Sequence, residues 1–231
     1  MSLSRTAKRT QPQRAEATIA ALLAAAREQF GQEGYEATTL DGVCAAAGLT
    51  KGALYHHFAG GKLDLFEAVV RELQEGLVAA MSKASTEARG TPRALSATIG
   101  AYFDTAVDAH FHRITLQDAP AVFGLARWRK IEHGYVLPFI RAGIEALVED
   151  RAMSAGAKDM LSAAIYGACC EATVMIAFAE DPNEAKAQAI EVVVAMLEGL
   201  ARDRRSEAVS APAPLRSGTS ARTGPAPGAS G

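Results

Sequence analysis

The chain has 231 residues, of which 49% are hydrophobic and only 6% aromatic, a balance that favours packed helices over a β-sandwich. Its formal net charge of −2 excludes a protein that is drawn to nucleic acid by its overall field. Three cysteines, two of them adjacent, exclude a disulfide framework and fit a reducing cytoplasm, and neither a signal-peptide core nor a membrane-length apolar run is apparent.

The first fifteen residues are predicted to form a flexible basic arm. Arg5, Lys8, Arg9 and Arg14 all precede the first acidic residue, Glu16. Such an arm can follow DNA phosphates or enter a minor groove, as basic arms do in helix-turn-helix proteins. A solvated terminus without a partner is the alternative, and the composition does not separate the two.

Two short helices joined by a tight turn are predicted between Thr38 and Phe58. Thr38 is placed to cap the first of them, and Asp41 follows three residues later in a capping-box arrangement. Gly48 suits the left-handed residue that closes a helix. Thr50 then caps the second helix, which begins at Lys51. This is the layout of a DNA-reading helix-turn-helix.

The outer face of that second helix predicts contact with DNA. Leu54 and Phe58 lie four residues apart and can pack inward together. The outward residues are hydrogen-bond donors or nearly free of side chain: Lys51, Gly52, Ala53, Tyr55 and His56. A capped helix start with small residues lets the backbone approach phosphates and base edges. The alternative is a surface hairpin of an all-α protein that binds no DNA.

These residues resemble the tetracycline-repressor (TetR) family of transcriptional regulators. The resemblance covers about residues 16–70 and extends to Ala26, Phe30, Gly34, Tyr35, Lys62 and the run 63–69. Cys44 departs from the alanine usual in the family, and because both are small we expect unchanged packing. The resemblance implies a three-helix DNA-binding unit over residues 16–62. It also implies a helical domain over residues 63–205 that dimerises and holds a small effector.

The resemblance also assigns roles within the DNA-binding unit. Tyr55 and Lys62 are expected at phosphates, and the turn from Lys51 to Ala53 at base edges. We also expect Thr38 and Thr39 at a phosphate, near the start of the helix that directly follows them. The complete predicted DNA-binding set is Thr38, Thr39, Thr50, Lys51, Gly52, Ala53, Tyr55, His56 and Lys62.

Helical spacing continues through the larger domain. A fourth helix is predicted from Lys62 to about Leu77, and Thr91-Pro92 is predicted to open a fifth. The segment 111–120 is less regular and is expected to hold one short helix. Pro138 interrupts a later helical pattern and predicts a kink or a break.

The larger domain contains apolar residues that can line a cavity with a few polar groups. We predict a ligand site formed by Phe103, Val107, Trp128 and Tyr166, between the fifth helix and the helices that contain Trp128 and Tyr166. Each of these residues can equally be plain core. The chemistry of the ligand stays open.

The last two long helices are predicted to form the dimer interface. Both carry apolar or small residues on more than one face, and a helix that is apolar on two faces must be buried on two faces. Ile165, Ala172, Val194 and Leu197 are predicted near the centre of an isologous contact. An internal core helix is the alternative. The tail from residue 206 is rich in Ser, Ala, Pro and Gly and is predicted to be disordered.

Motifs of enzymes are not found. The sequence has no Walker-type loop and no dinucleotide fingerprint. His110, His112 and His133 could together bind a metal ion, but roles as surface or core packing residues are favoured. Cys169 and Cys170 are interpreted as small hydrophobic residues, with a thiol sensor as the alternative.

The sequence therefore predicts an all-α, cytoplasmic, ligand-responsive regulator, neither an enzyme nor a cofactor or membrane protein. We expect a repressor that binds a palindromic double-stranded DNA operator as a homodimer and is released by a small-molecule effector. The alternative is an all-α small-molecule binding or catalytic protein whose N-terminal hairpin is only structural.

Overall fold

The computed structural model describes residues 10–90, 93–147 and 153–209, and every regular element in these ranges is a helix, as the all-α prediction requires. The helices in chain order are α1 (Gln11–Glu33), α2 (Leu40–Ala47), α3 (Lys51–His57), α4 (Lys62–Glu87), α5 (Ala94–Ala106), α6 (Ala109–Phe111), a π-helical turn (His112–Asp118), α7 (Ala119–Phe123), α8 (Leu125–Leu147), α9 (Ala155–Ala177) and α10 (Pro182–Val209).

Both ends of the described chain differ from the predicted boundaries. α1 begins at Gln11, so the last five residues of the predicted arm are helical, and the backbone N–H of Thr10 donates to the side chain of Gln13 at 3.0 Å. α10 continues to Val209, beyond the predicted boundary at 206. The rest of the predicted arm and tail, and the predicted cap at Thr91-Pro92, lie outside the described residues.

The helix-turn-helix has its predicted turn but a different first cap. Thr39, not Thr38, caps α2, because its hydroxyl accepts from the N–H of Gly42 at 3.1 Å. Gly48 closes α2 with φ +66°, the left-handed conformation that favours glycine. Thr50 caps α3 as predicted and accepts from the N–H of Ala53 at 3.2 Å.

The DNA-binding unit shares its core with the larger domain. Phe30, Leu54 and Phe66 are completely buried at its centre. Ile114 of the π-helical turn and Trp128 of α8 belong to the same buried cluster. Each large apolar side chain buried in this way contributes about 1.5–3 kcal/mol. Folding therefore ties α1–α4 to the π-helical turn and to the start of α8.

The irregular pattern predicted for residues 111–120 corresponds to the π-helical turn with α6 and α7 on either side. Within it the hydroxyl of Thr115, which is buried, donates to the carbonyl of Phe111 at 2.7 Å. π-helical turns are rare and occur often at functional sites. This one lies between the two parts of the molecule.

A second buried cluster occupies the larger domain, between α4, α5, α8, α9 and α10. α8 runs through Pro138 without interruption, so the predicted break is absent. Asp181 caps the start of α10, because its carboxylate accepts from the N–H groups of Asn183 and Glu184 at 2.9 and 3.1 Å.

α9 is long and apolar enough to cross a membrane by length and composition alone, contrary to the sequence-based expectation. Its inner face nevertheless buries polar residues, Ser162, Tyr166 and Thr173, against neighbouring helices. Ser162 and Thr173 donate to carbonyls of α9 itself. This face of α9 therefore packs in the protein core.

Candidate nucleic-acid interface and ligand cavity

α3 presents one exposed surface on the outside of the molecule. Leu54 is completely buried and anchors the helix to the core, while Tyr55 on the opposite side keeps 49% of its surface exposed. The exposed residues of the surface are Thr50, Lys51, Gly52, Tyr55 and His56, with Ala53 half-buried beside them. The structure therefore brings most of the predicted DNA-binding set onto one continuous face.

Lys51 is held by an ion pair within the helix-turn-helix. Its Nζ lies 2.7 Å from Oδ1 of Asp41, and both side chains are mostly exposed. The hydrogen bond to Asp41 raises the pKa of Lys51. The pair links the starts of α2 and α3. Any phosphate or base that binds Lys51 competes with Asp41 for it.

Among the described residues, no neighbouring side chain requires glycine at position 52. A Cβ added to Gly52 would come no closer than 3.8 Å to another atom, the hydroxyl oxygen of Thr50. Glycine in a helix lowers stability relative to alanine. The absence of a side chain at Gly52 is explained if another molecule approaches the backbone of α3 closely at this position.

Lys62 lies at the edge of the α3 surface, where α4 begins. Its Nζ donates to the carbonyl of Glu36 at 3.1 Å and lies 4.4 Å from the centroid of the Tyr35 ring. Tyr55 lies close by, since a Cβ on Gly61 would meet the Tyr55 ring at 3.4 Å. Lys62 and Tyr55 thus both lie near the start of α4.

The two predicted threonines at the start of α2 differ in position. Thr39 is exposed, as a phosphate contact requires. Thr38 is only 1% exposed, and its hydroxyl donates to the carbonyl of Gly34 at 2.8 Å. The prediction that Thr38 touches DNA is corrected: it closes the turn after α1 inside the protein.

A set of contacts, here called the α1 clamp, joins the π-helical turn and α6 to the C-terminal end of α1. Arg113 donates to the carbonyls of Gln32 at 3.3 Å and Glu33 at 2.9 Å. These carbonyls end α1 and lack partners within the helix. Asp118 accepts from the N–H of Tyr35 at 2.8 Å. The clamp fixes the orientation of the DNA-binding unit.

Close packing adds to the α1 clamp. His110 lies 3.7 Å from Glu28 across the same junction. Gly31 of α1 passes so near that a Cβ there would collide with the His110 ring. On the other side of the DNA-binding unit, Arg127 of α8 binds Glu67 of α4.

The larger domain contains a cavity of about 580 Å³ between α4, α5, α8, α9 and α10. Small-molecule sites are typically ~300–1,000 Å³. Of the four predicted ligand residues, Tyr166 lines it. Phe103 is completely buried in the core beside it, and Val107 packs against that core. Trp128 lines a different, smaller cleft of about 280 Å³. The prediction of one site for all four residues is corrected, because α5 turns Phe103 and Val107 away from the cavity.

A polar network lies at the inner end of the cavity. The hydroxyl of Tyr166 donates to Oε1 of Glu132 at 2.8 Å, and Arg129 donates to Oε2 at 3.0 Å. Glu132 is only 1% exposed, and burial raises its pKa despite both partners. Glu132 is not among the residues predicted from the sequence. The available signal was an acid four residues after Trp128, on the face of α8 that also carries Ile131.

The two adjacent cysteines of α9 lie among packed side chains. Burial raises the pKa of the Cys169 thiol to about 12, and the hydroxyl of Tyr102 donates weakly to Cys170 at 3.9 Å. Such a thiol is a poor nucleophile at neutral pH. In the ranges that the structure covers, no three His, Cys, Asp or Glu residues are grouped to hold a metal ion.

An apolar stripe is exposed on α9 and α10. Phe178 is 81% exposed and Met175 is 66% exposed. The other large apolar residues of the stripe are Met160, Val174, Val192 and Met196. Ile165 and Leu197, predicted at the centre of a dimer contact, are instead buried and line the cavity, while Ala172 and Val194 are half-buried against the core. That prediction is corrected, because these residues have little surface to offer a partner.

Comparison with known proteins places both parts of the chain. The family model for bacterial regulatory proteins of the tetR family matches residues 22–69. A model for the tetracyclin repressor-like C-terminal domain matches residues 92–200. The first covers the helix-turn-helix, and the second covers most of the cavity and the apolar stripe.

Individual relatives agree with these matches. The Transposon Tn10 TetC protein of Escherichia coli is 27% identical over 160 residues, 69% of this chain and 80% of that protein. The HTH-type transcriptional activator FasR of Mycolicibacterium smegmatis is 36% identical over 83 residues, 36% of this chain and 37% of that protein. The crystal structure of a TetR-family transcriptional regulator from Pectobacterium atrosepticum is 33% identical with a TM-score of 0.64, covering 83% of this chain and 97% of that one.

Proposed function

The chain belongs to the tetR family of bacterial transcriptional regulators, and from this premise we propose that it is a cytoplasmic, ligand-responsive repressor. It binds a palindromic operator as a homodimer and leaves the DNA when a small molecule occupies the cavity. The observation that carries the proposal is the exposed surface of α3 on a capped helix-turn-helix, with Lys51 and Tyr55 facing outward.

DNA reading is proposed for α3 and the starts of α2 and α4. Lys51 and the backbone at Gly52 approach base edges, while Tyr55, Lys62 and Thr39 hold phosphates. The open space around Gly52 and the exposure of Tyr55 support these roles. A hairpin with only a structural role gives no reason for small residues at the exposed start of α3.

Dimer formation is proposed through the apolar stripe of α9 and α10. Exposed large apolar residues such as Phe178 and Met175 are costly in water, and a second copy covers them symmetrically. Small residues, Ala164 and Gly167 of α9 and Ala195 and Gly199 of α10, are exposed along the same helical faces and allow close approach. The two copies of α3 then enter successive major grooves about 34 Å apart.

Release is proposed to pass through α4 and the α1 clamp. α4 begins at the DNA-binding surface with Lys62 and reaches the cavity with Met81 and Ser85. A ligand that favours a tilted α4 changes the separation of the two α3 helices and breaks their register on DNA. It does so only by binding the tilted state better than the DNA-competent one. Coupling of about 1–3 kcal/mol, reciprocal between ligand and DNA, is typical.

The decisive experiment is fluorescence anisotropy with DNA from upstream of the protein's own gene. We expect tight, sequence-specific binding by the unmodified protein. The double variant Lys51→Ala/Tyr55→Ala should lose specific operator binding. Lys51→Ala alone should weaken binding by about 1–3 kcal/mol if Lys51 reads a base. Lys83→Ala, which removes an exposed amine of α4 outside the α3 surface, is the matched control.

Specific binding at full strength by the double variant would contradict the proposed surface. Repression itself is tested with a reporter gene fused to the same upstream DNA. Expression of the reporter should rise when the gene that encodes this protein is deleted. A fall on deletion would identify an activator, a mode that the name of the FasR relative also carries.

A further inference from the structure

The cavity has one charged end, at its mouth. Arg89, just after the end of α4, is the only charged side chain among the described residues that line it. Ser85 lines the cavity one helical turn earlier. Within the described part of the chain, neither the guanidinium of Arg89 nor the hydroxyl of Ser85 has a hydrogen-bond or ion-pair partner. The nearest acid in sequence, Glu87, is paired with Lys83 instead.

The rest of the cavity is apolar and extends away from that end. On α5, Ala94, Thr98 and Tyr102 line it in a row, four residues apart. At 1.5 Å per residue this row spans about 12 Å. The body between its ends is lined by branched and aromatic side chains, among them Ile99, Phe139 and Ile144.

The lining of the inner end is polar but has no charged side chain, because Glu132 and Arg129 lie behind Tyr166 and line the smaller cleft. The hydroxyl of Thr98 is already used, since it donates to the carbonyl of Ala94 at 2.8 Å. Burial raises the pKa of the Cys169 thiol to about 12 and the pKa values of Tyr102 and Tyr166 well above their ordinary value. The Tyr166 hydroxyl is satisfied by Glu132. A charged group on a ligand therefore meets no charged side chain in the lining at this end and is desolvated there without compensation.

We propose that the cavity binds an amphipathic carboxylic acid, with its carboxylate on Arg89 and Ser85 at the mouth and its apolar body along α5. The planar guanidinium fork matches a carboxylate in a bidentate contact, and the serine hydroxyl donates a further hydrogen bond. This deepens the proposed function: the role of such an acid as effector rests on that function, but its binding does not.

The test uses three probes with the same chain and different heads: decanoate, 1-decanol and decylamine. Calorimetry with the full chain at about pH 8 keeps the first anionic and the last cationic. We expect decanoate to bind about tenfold more tightly than decanol, and decylamine to bind most weakly. In Arg89→Gln the preference for decanoate over decanol should disappear while the affinity for decanol is unchanged.

Three further variants make the result specific. Arg93→Gln removes an exposed arginine that does not line the cavity, and it should keep the full preference. Arg89→Lys keeps the positive charge but lacks the planar guanidinium, so it should keep part of the preference for decanoate. Leu95→Trp places a bulky indole ring in the body of the cavity and should weaken the binding of decanoate and of decanol by the same factor. Circular dichroism checks that each variant is folded.

The inference is overturned if no probe binds, if decanol or decylamine binds more tightly than decanoate, or if Arg89→Gln keeps the preference. Because these measurements contain no DNA, they are separate from the proposed function. A protein that binds its operator but not decanoate contradicts only the inference. A protein that binds decanoate through Arg89 but no operator contradicts only the proposed function.

Discussion

The carboxylate of Asp118 accepts a hydrogen bond from the backbone N–H of Tyr35 at 2.8 Å, across 83 positions of sequence. Asp118 ends the π-helical turn, and Tyr35 follows α1 in the DNA-binding unit. Together with the contacts of Arg113 to the end of α1, this bond sets how the DNA-binding unit sits on the larger domain. The orientation that DNA recognition needs is therefore fixed by contacts that lie in neither the α3 surface nor the cavity.

Asp118→Ala should lower the free energy of unfolding by about 1–3 kcal/mol, because it leaves the partly buried N–H of Tyr35 without an acceptor. Chemical denaturation with urea measures this loss. Asp118→Asn keeps an acceptor oxygen and should recover most of the stability. An alanine variant as stable as the unmodified protein would show that water replaces the bond at no cost.

Asp41→Asn should raise operator affinity several-fold, because Lys51 no longer has to leave Asp41 and a negative charge near the phosphates is removed. Anisotropy titrations at several salt concentrations measure both affinity and its salt dependence. Glu87→Gln is the control, since it breaks a comparable exposed pair with Lys83 on α4. Equal affinity of the Asp41 variant and the unmodified protein would place Lys51 away from the DNA.

Gly52→Ala should separate folding from DNA binding. The added methyl has space within the protein, and alanine favours a helix, so the unfolding temperature should be equal or higher. Operator affinity should fall, because the methyl lies where the DNA backbone or a base edge approaches. Thermal unfolding tests the expected stability, and fluorescence anisotropy on the same sample tests the expected loss of operator affinity. A variant that binds the operator unchanged would leave the glycine without a role in recognition.

Phe178→Glu should split the proposed dimer, because it places a charge in the most exposed part of the apolar stripe. Analytical ultracentrifugation at micromolar concentration measures the change from dimer to monomer. Ala187→Glu, at an exposed position of α10 off the stripe, should stay dimeric. If the unmodified protein sediments as a monomer, or if both variants dissociate equally, the stripe is not the interface.

Glu132→Gln should stabilise the protein relative to the unmodified chain as pH rises. Burial raises the pKa of Glu132 above its ordinary 4.5, so the folded state holds this proton more tightly than the unfolded state does. The stabilising contribution of protonated Glu132 to the free energy of unfolding is then complete below about pH 4.5, and it is lost as the pH rises through the raised pKa of the folded state. Glutamine does not titrate and still accepts from Tyr166.

Unfolding temperatures of the Glu132 variant and the unmodified protein, from about pH 4 to about pH 8, test this sign. Glu145→Gln is the control, because Glu145 is an exposed partner of Arg141 and should give no comparable trend. A difference that shrinks as pH rises would mean that the ion pair with Arg129 outweighs the cost of burial.

The sequence by itself determined the features that depend on neighbours within about four residues. The caps at Thr50 and Asp181 and the left-handed Gly48 follow from short-range hydrogen bonds and from the conformational freedom of glycine, so their residue types announce them. The outward face of α3 was also readable, because helical spacing separates Leu54 from Tyr55 once one face is buried.

Only the tertiary structure decided which helix covers which face. Thr38 and Thr39 are adjacent and chemically identical, yet the turn after α1 buries one and exposes the other. Ile165 and Trp128 fit an interface and a cavity equally well by spacing, but the packing of α9 and α8 put the first into the cavity and the second against the DNA-binding unit. Helical periodicity defines an apolar face, whereas the partner of that face depends on contacts far apart in sequence, which no local pattern encodes.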